Sequence, residues 1–227
     1  MVQRAVSVVF TLALFMALTA GSAQALLSTI GTVDYQGSSY NLIYDNDSPF
    51  GSIVWLDYTH GHDTWGNQQT WASGLDGMGP VNYHLNPGVT MIWDGSWRLP
   101  STVDSVSSSG YNPPASSSEM AHLYYTELGN SGYPDAGWGL ANTGDFTHLV
   151  PDWYWSGTEY ATNPNGAWTF YTNIGFQNAF NLGYNFFALA VRPGHESAAA
   201  VPEPSTLLLL GGGLAGMVGL RLRRRTR

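Results

Sequence analysis

His60-Gly61-His62-Asp63 places two imidazoles and a carboxylate within four residues, a composition that can hold a divalent cation. The chain contains no Cys, and His84, His122, His148 and His195 stand in no recognisable ligand spacing, so a solvated loop is the expected state of this stretch. Asp45-Asn46-Asp47 offers the oxygen donors that Ca²⁺ prefers, but no twelve-residue calcium loop surrounds it. No metal or other cofactor is therefore expected. Ca²⁺ at Asp45 and Asp47, and a metal at His60, His62 and Asp63, remain as alternatives.

Four further carboxylates, Glu119, Glu127, Glu159 and Asp152, could supply the pair that glycoside hydrolysis requires at a set separation. Glu119 already has a role as a helix capping residue. Ser156-Gly157-Thr158 lacks the pattern of a nucleophile elbow, and no glycine-rich phosphate loop follows a strand. The expectation is a non-enzymatic protein. Arg98 and Arg192 sit beside apolar strand residues, where a buried guanidinium needs a fixed anionic partner. Glu119 or Glu159 is the expected partner of Arg98, with an anion or sugar-acid site as the functional alternative. Trp153, Tyr154, Trp138 and Tyr133 fall in or beside expected loops, where exposed rings can stack on sugar faces. Trp155 and Trp168 are expected in the core.

These residues have to be held by the segment between Leu26 and Ala200. That stretch is long enough for one domain with a sizeable core. It has no Lys, two Arg and fifteen Asp and Glu, a net charge of −13. Such a surface repels nucleic acid and anionic lipid and attracts cations. Without disulfides its stability must come from packing, for which the many Trp and Tyr are suited. Thr32–Tyr35 and Tyr40–Tyr44 flank Gly37-Ser38-Ser39 as a hairpin, and Ile53–Leu56 reads as a strand. Thr64 or Asp63 caps a helix carrying Trp65, Trp71, Ala72 and Leu75, while 78–90 reads as loop. Met91–Trp93 and Trp97–Leu99 are short strands, and Ser101–Ser117 a flexible Ser-rich insertion. A second helix spans Ser117–Leu128, with Ser116 as N-cap and Glu119 completing a capping box. Trp153–Tyr160, Ala167–Tyr171, Gly175–Asn181 and Phe186–Val191 follow as strands. The expected class is α+β, one compact domain of short twisted antiparallel strands, about two helices and long loops, with an apolar helix at each chain end.

Five stretches occur in fixed order: Trp97-Arg98-Leu99-Pro100, Ser118–Leu123, Tyr154–Glu159, Ala167–Phe170 and Ala190-Val191-Arg192-Pro193. Together they resemble the Lcl C-terminal-type domain, a family of unknown function related to the C-type-lectin-like fold of the formylglycine-generating factors. The resemblance covers about residues 50–195, preceded by the hairpin at 26–49. It implies a compact lectin-like fold and an association with extracellular polysaccharide and biofilm matrix. Formylglycine-generating chemistry works through cysteine thiolates, so the absence of Cys excludes that activity.

Both chain ends read as addresses. Arg4, the apolar run Ala5–Leu18 and the small residues Ala23-Gln24-Ala25 form a secretory signal peptide, with cleavage expected after Ala25. After a linker at 196–206 come Pro202-Glu203-Pro204, the Gly-rich apolar run 207–220, and a basic tail at 221–227 carrying Arg221, Arg223, Arg224 and Arg225. The apolar run is about 14 residues, short of the roughly 20 that a stable spanning helix needs. The arginine cluster holds its end in the cytoplasm. This tripartite tail resembles the PEP-CTERM sorting signal. That resemblance implies the secretion machinery and an exosortase-type membrane protease as partners, transient membrane contact, and delivery to the cell surface or matrix. Mass spectrometry of the protein recovered from its producing cells should find neither the first 25 residues nor the arginine tail. An unprocessed full-length chain in the cytosol is the result that defeats this reading.

Overall fold

The computed structural model describes residues 27–77 and 82–197. The expected signal peptide, the apolar helices at both ends, the Pro-Glu-Pro motif and the arginine tail lie outside the described residues. Among the described residues no helix is long and apolar enough to cross a membrane.

Ten strands form one sheet: β1 (Ser28–Tyr35), β2 (Ser38–Asp45), β3 (Ile53–Asp63), β4 (Asn82–Leu85), β5 (Met91–Trp93), β6 (Gly110–Tyr111), β7 (Trp153–Glu159), β8 (Gly166–Tyr171), β9 (Phe176–Asn181) and β10 (Phe186–Glu196). Their order across the sheet is β4-β1-β2-β3-β10-β7-β8-β9-β6, with β5 pairing separately to β10. All pairings are antiparallel except the single parallel contact of β10 with β7, Phe187 to Tyr154. The described residues are thus mostly β, with strands from Ser28 to Glu196 and two short helices, and the hairpin β1–β2 continues into the same sheet through β3.

The hairpin turns at Gln36-Gly37, whose φ values of 49° and 82° are those of a two-residue turn matched to strand twist. The central strands are apolar on both faces. Leu42, Val54, Leu56, Ala188 and Ala190 pack on one side with Trp71 and Ala72 of helix α1 (Trp65–Gly74) and with Leu75 that caps its end. Ile43, Ile53, Trp55, Leu189 and Val191 pack on the other with Met120, Leu123, Tyr124, Phe146 and Leu149. Successive strand residues point to opposite faces, so a strand with a core on each side reads as a continuous apolar run.

Several elements differ from the sequence expectation, each for a local reason. The stretch 78–90 includes edge strand β4, held by β1 through Gly31 to Asp34. The Ser-rich segment 101–117 is held by 3-10 turns at Val106–Ser108 and Ala115–Ser117, by Thr102 facing Ser118, and by strand β6 on β9. The second helix is capped by Ser118 rather than Ser116: its hydroxyl accepts from Ala121 N, so Glu119 is the first helical residue and completes no capping box. After one α turn, α2 (Glu119–Ala121), the chain continues as a π-helix over His122–Glu127, closed by Leu128 N donating to Leu123 O.

Tyr154, expected at a sugar-facing surface, has no solvent exposure. Its hydroxyl lies 3.1 Å from Thr59 Oγ1 and accepts from Val150 N at 3.0 Å. Burial, first of all, pushes this phenol up to about 12, with Asp152 and Asp57 adding to the rise. Its unfolded value is about 10. Between those values the unfolded chain releases the proton first, so stability falls as pH rises. Denaturant midpoints measured from pH 9 to 12 should fall for the native chain by the equivalent of about 2–3 kcal/mol more than for Tyr154→Phe. Parallel curves for the two proteins would refute this.

Candidate functional site

Three places on the described structure gather polar or aromatic chemistry. The first surrounds Arg98. Its backbone exchanges both hydrogen bonds with Val191, which fixes the side chain's origin on β10. The guanidinium grips Glu119 with two parallel bonds of 2.7 and 2.8 Å and also donates to Leu99 O. Glu119 is completely buried, and one of its oxygens additionally accepts from Ser101 N at 2.6 Å. Glu159, the other expected partner, is exposed on β7. The outer face of Arg98 lines a cleft of about 350 Å³ with Gln69, Thr70 and Ser73 of α1 and with Ser101. Arg192 pairs instead with Asp76 at 3.1 Å, donates to Gly95 O and Tyr83, and lies over the Trp93 ring. Both arginines are therefore occupied by internal partners.

The second place is an aromatic face. Tyr133 and Trp138 are 45% and 47% exposed, and Tyr111 is 50% exposed. Their rings adjoin in sequence, Tyr111 to Tyr133 at 5.3 Å and Tyr133 to Trp138 at 5.8 Å, with Phe176 behind Tyr111 at 4.6 Å. The loop that carries Tyr133 and Trp138 is pinned: Tyr133 N donates to Ile174 O, and Gly139 N to Ser131 O. Beneath it the Tyr125 hydroxyl lies between Gly132 and Gly175, where either Cβ would collide with it, and donates to Gly175 O. Asn112 bonds Asp135 across the rim at 3.2 Å. Trp153 reaches this face only from behind, edge-on to Phe176 at 5.9 Å; it is half-buried, stacked on Tyr171 at 4.5 Å and packed on Phe180 and Phe186. Trp155 and Trp168 are buried.

The third place joins Asp45 and Asp47 to two residues absent from the expected metal set. His122 Nε2 is 3.8 Å from Asp45 Oδ1, 3.2 Å from Asp47 Oδ1 and 3.3 Å from Glu127 Oε1. Burial raises both Asp45 and Glu127, the latter to about 7 with the nearby aspartates contributing. The π-helix makes this meeting possible. Residues five apart diverge around an α-helix but return to one side when the turn widens to i→i+5 bonding. No spacing in the sequence announces such a turn, so only the aspartate half was legible.

The His60–Asp63 stretch is not a loop but the end of β3, and it is not brought together. Between the pairs Ala188–His60 and Phe186–Asp63, three steps of β3 oppose two of β10. This bulge changes the alternation of side chains. His60 stacks on Trp71 and bonds Gln68, whereas His62 stacks on Phe187 and approaches Asp152 at 3.6 Å. Asp63 accepts from Thr64 N and Asn67 Nδ2 at the start of α1, which holds its carboxyl below the usual range.

Residues 200–225 match a family model described as the PEP-CTERM protein-sorting motif, which points to exosortase-dependent export toward the cell envelope or surface. The match covers the tail and leaves the folded domain outside it. No curated protein and no solved structure matches the chain.

Replacing Arg98 by Met leaves Glu119 buried without its cation and should cost about 3 kcal/mol in urea denaturation. The double variant Arg98→Met/Glu119→Leu should recover most of that loss. Equal damage in single and double variants would show that the pair is not what is being disrupted.

Proposed function

We propose that this chain is an exported, non-enzymatic protein of the cell envelope or extracellular matrix, whose Tyr111–Tyr133–Trp138 face binds polysaccharide. The observation that carries the reading is a contiguous set of three exposed rings on a domain whose other described Phe, Tyr and Trp rings, Phe50 and Tyr184 apart, are buried or half-buried. Exposed apolar patches of this kind mark interaction sites. Each ring offers a flat apolar surface to the C–H face of a pyranose, while Asp135 and Asn112 at the rim offer hydrogen bonds to its hydroxyls. The pinned loop lowers the ordering cost of binding. A domain of net charge −13 repels anionic polymers, so a neutral or amino-sugar polysaccharide is the expected class.

A non-enzymatic role is supported by the state of the carboxylates. Glu119 is spent on Arg98 and Ser101, and Glu159 stands exposed at the surface. The ordered motifs support kinship with the Lcl C-terminal-type domain and its lectin-like relatives. The sorting tail supports release to, or attachment at, the surface after transient membrane contact. Nothing in this reading requires nucleic acid or a cofactor.

Affinity electrophoresis through gels containing neutral glucans, chitosan or anionic alginate tests the reading. The native chain should be retarded by a neutral or amino-sugar polymer. Trp138→Ala and Tyr133→Ala should each lose at least tenfold in affinity with an unchanged melting temperature, because both side chains are at the surface. Undiminished retardation of both variants, or none of the native chain by any neutral or amino-sugar polymer, would sink the proposal.

A further inference from the structure

We propose that Asp45, Asp47, His122 and Glu127 form a binding site for one first-row transition dication of the Zn²⁺ or Mn²⁺ kind. One donor atom from each residue lies within 4.8 Å of every other, a spread that a single ion can close. The donors come from separate segments: Asp45 ends β2, Asp47 lies in the β2–β3 turn, and His122 and Glu127 stand at the two ends of the π-helix.

The independent observation is the state of Glu127. Its side chain is 2% exposed, and Oε1 has no hydrogen-bond partner. His122 Nε2 is 3.3 Å away but outside hydrogen-bonding geometry. A buried carboxylate oxygen without a donor is costly, and here it points into a group that already holds two more carboxylates. Three carboxylates around one imidazole repel one another, and a dication among them relieves that repulsion. Ser48 Oγ, the next residue after Asp47, is the other buried side-chain oxygen without a partner among the described residues.

The donor types choose the class of ion. Ca²⁺ and Mg²⁺ take all-oxygen shells, whereas an imidazole nitrogen beside carboxylates suits Zn²⁺, Mn²⁺ and their neighbours. Four protein donors describe a closed, structural site rather than one with a position reserved for substrate. The outer support is in place: Asp45 accepts from Trp55 Nε1 at 3.2 Å and from Asp47 N at 3.3 Å, which orients its carboxylate. Asp47 is 44% exposed at its side chain and provides the route from solvent. An ion here would tie the β2–β3 turn to the π-helix, the kind of cross-link that a chain without Cys otherwise lacks.

The test uses the untagged exported protein recovered from its producing cells, stripped with EDTA and titrated calorimetrically with ZnCl₂, MnCl₂ and CaCl₂, with melting temperatures recorded in parallel. One equivalent of Zn²⁺ or Mn²⁺ should bind and raise the melting temperature by several degrees, with Ca²⁺ at least tenfold weaker. Asp47→Asn and Glu127→Gln should each weaken binding at least tenfold, and Glu127→Gln should leave the metal-free protein no less stable. Asp47 is exposed, so its variant keeps the test valid even if the Glu127 change disturbs folding. Surface pairs such as His84–Asp34 and His195–Asp94 could also take up Zn²⁺. Binding that survives the variants belongs to such pairs and overturns the proposal. So does the absence of binding by both transition ions, or Ca²⁺ binding as tightly as either.

Discussion

Burying a tryptophan means burying an N–H, and this fold is organised around finding an acceptor for each one. Within the described residues six of the nine indoles donate: Trp55 to Asp45, Trp65 to Ser156 O, Trp71 to Tyr35, Trp97 to Tyr83, Trp155 to Asp63 O and Trp168 to Asp104. Each bond adds only about 1 kcal/mol net, but an unpaired buried donor costs about 1–3 kcal/mol, so a misplaced ring is penalised twice. Most of these bonds join segments far apart in sequence, including α1 to β7 and the 97–101 stretch to β4. Ring burial thus supplies the driving force, and the N–H partners select one arrangement. In a chain with no disulfide, that combination has to do the cross-linking.

The Arg98–Glu119 pair shows how the ordered sequence motifs serve the same end. Trp97–Pro100 meets Ala190–Pro193 through the Arg98–Val191 bridge, meets Ser118–Leu123 through Glu119, and meets Tyr154–Glu159 through Gly157 N donating to Pro100 O. A Cβ on Gly157 would lie 3.3 Å from Leu99 Cβ and O, so glycine lets the two segments approach without displacing Leu99. Four motifs separated by many residues therefore share one packing node. Residues of this sort specify a scaffold; whatever such a domain recognises is carried on its loops.

Strands with continuous apolar runs, such as Ile53–Leu56 and Phe186–Val191, were legible because burial on both faces leaves its mark on composition. The first helix was legible from its apolar spacing. What escaped was set by tertiary context. Edge strand β4 has no apolar signature, since a four-residue strand is defined by the neighbour it pairs with. The Ser-rich 101–117 segment looks unstructured by composition, yet Gln177 enters it to bond Ser108 O and Ser118, which orders the backbone. The bulge that separates His60 from His62 and the π-turn that joins His122 to Glu127 are both one-residue departures from regular periodicity. Each reverses which side chains meet, and neither is written in residue type. Tyr154 misled for a related reason: its polar tip fitted a loop, while Thr59 and Val150 satisfy it inside the core.

Charge placement separates the two kinds of recognition that the domain can support. Its only cationic side chains, Arg98 and Arg192, are consumed by Glu119 and Asp76, so the outer surface presents carboxylates without fixed positive counterparts. Long-range attraction is then available to cations alone, and it weakens with salt over a Debye length of about 8 Å at physiological ionic strength. Ring stacking acts by contact and is indifferent to that screening. The aromatic face and the Asp45–Glu127 cluster are consequently addressed by different physics, one by shape and desolvation, the other by charge. On the proposed reading, such a domain would hold a neutral polymer on one surface while the surrounding acidity keeps it off anionic lipid. That suits a chain whose tail matches a sorting motif pointing to exosortase-dependent export.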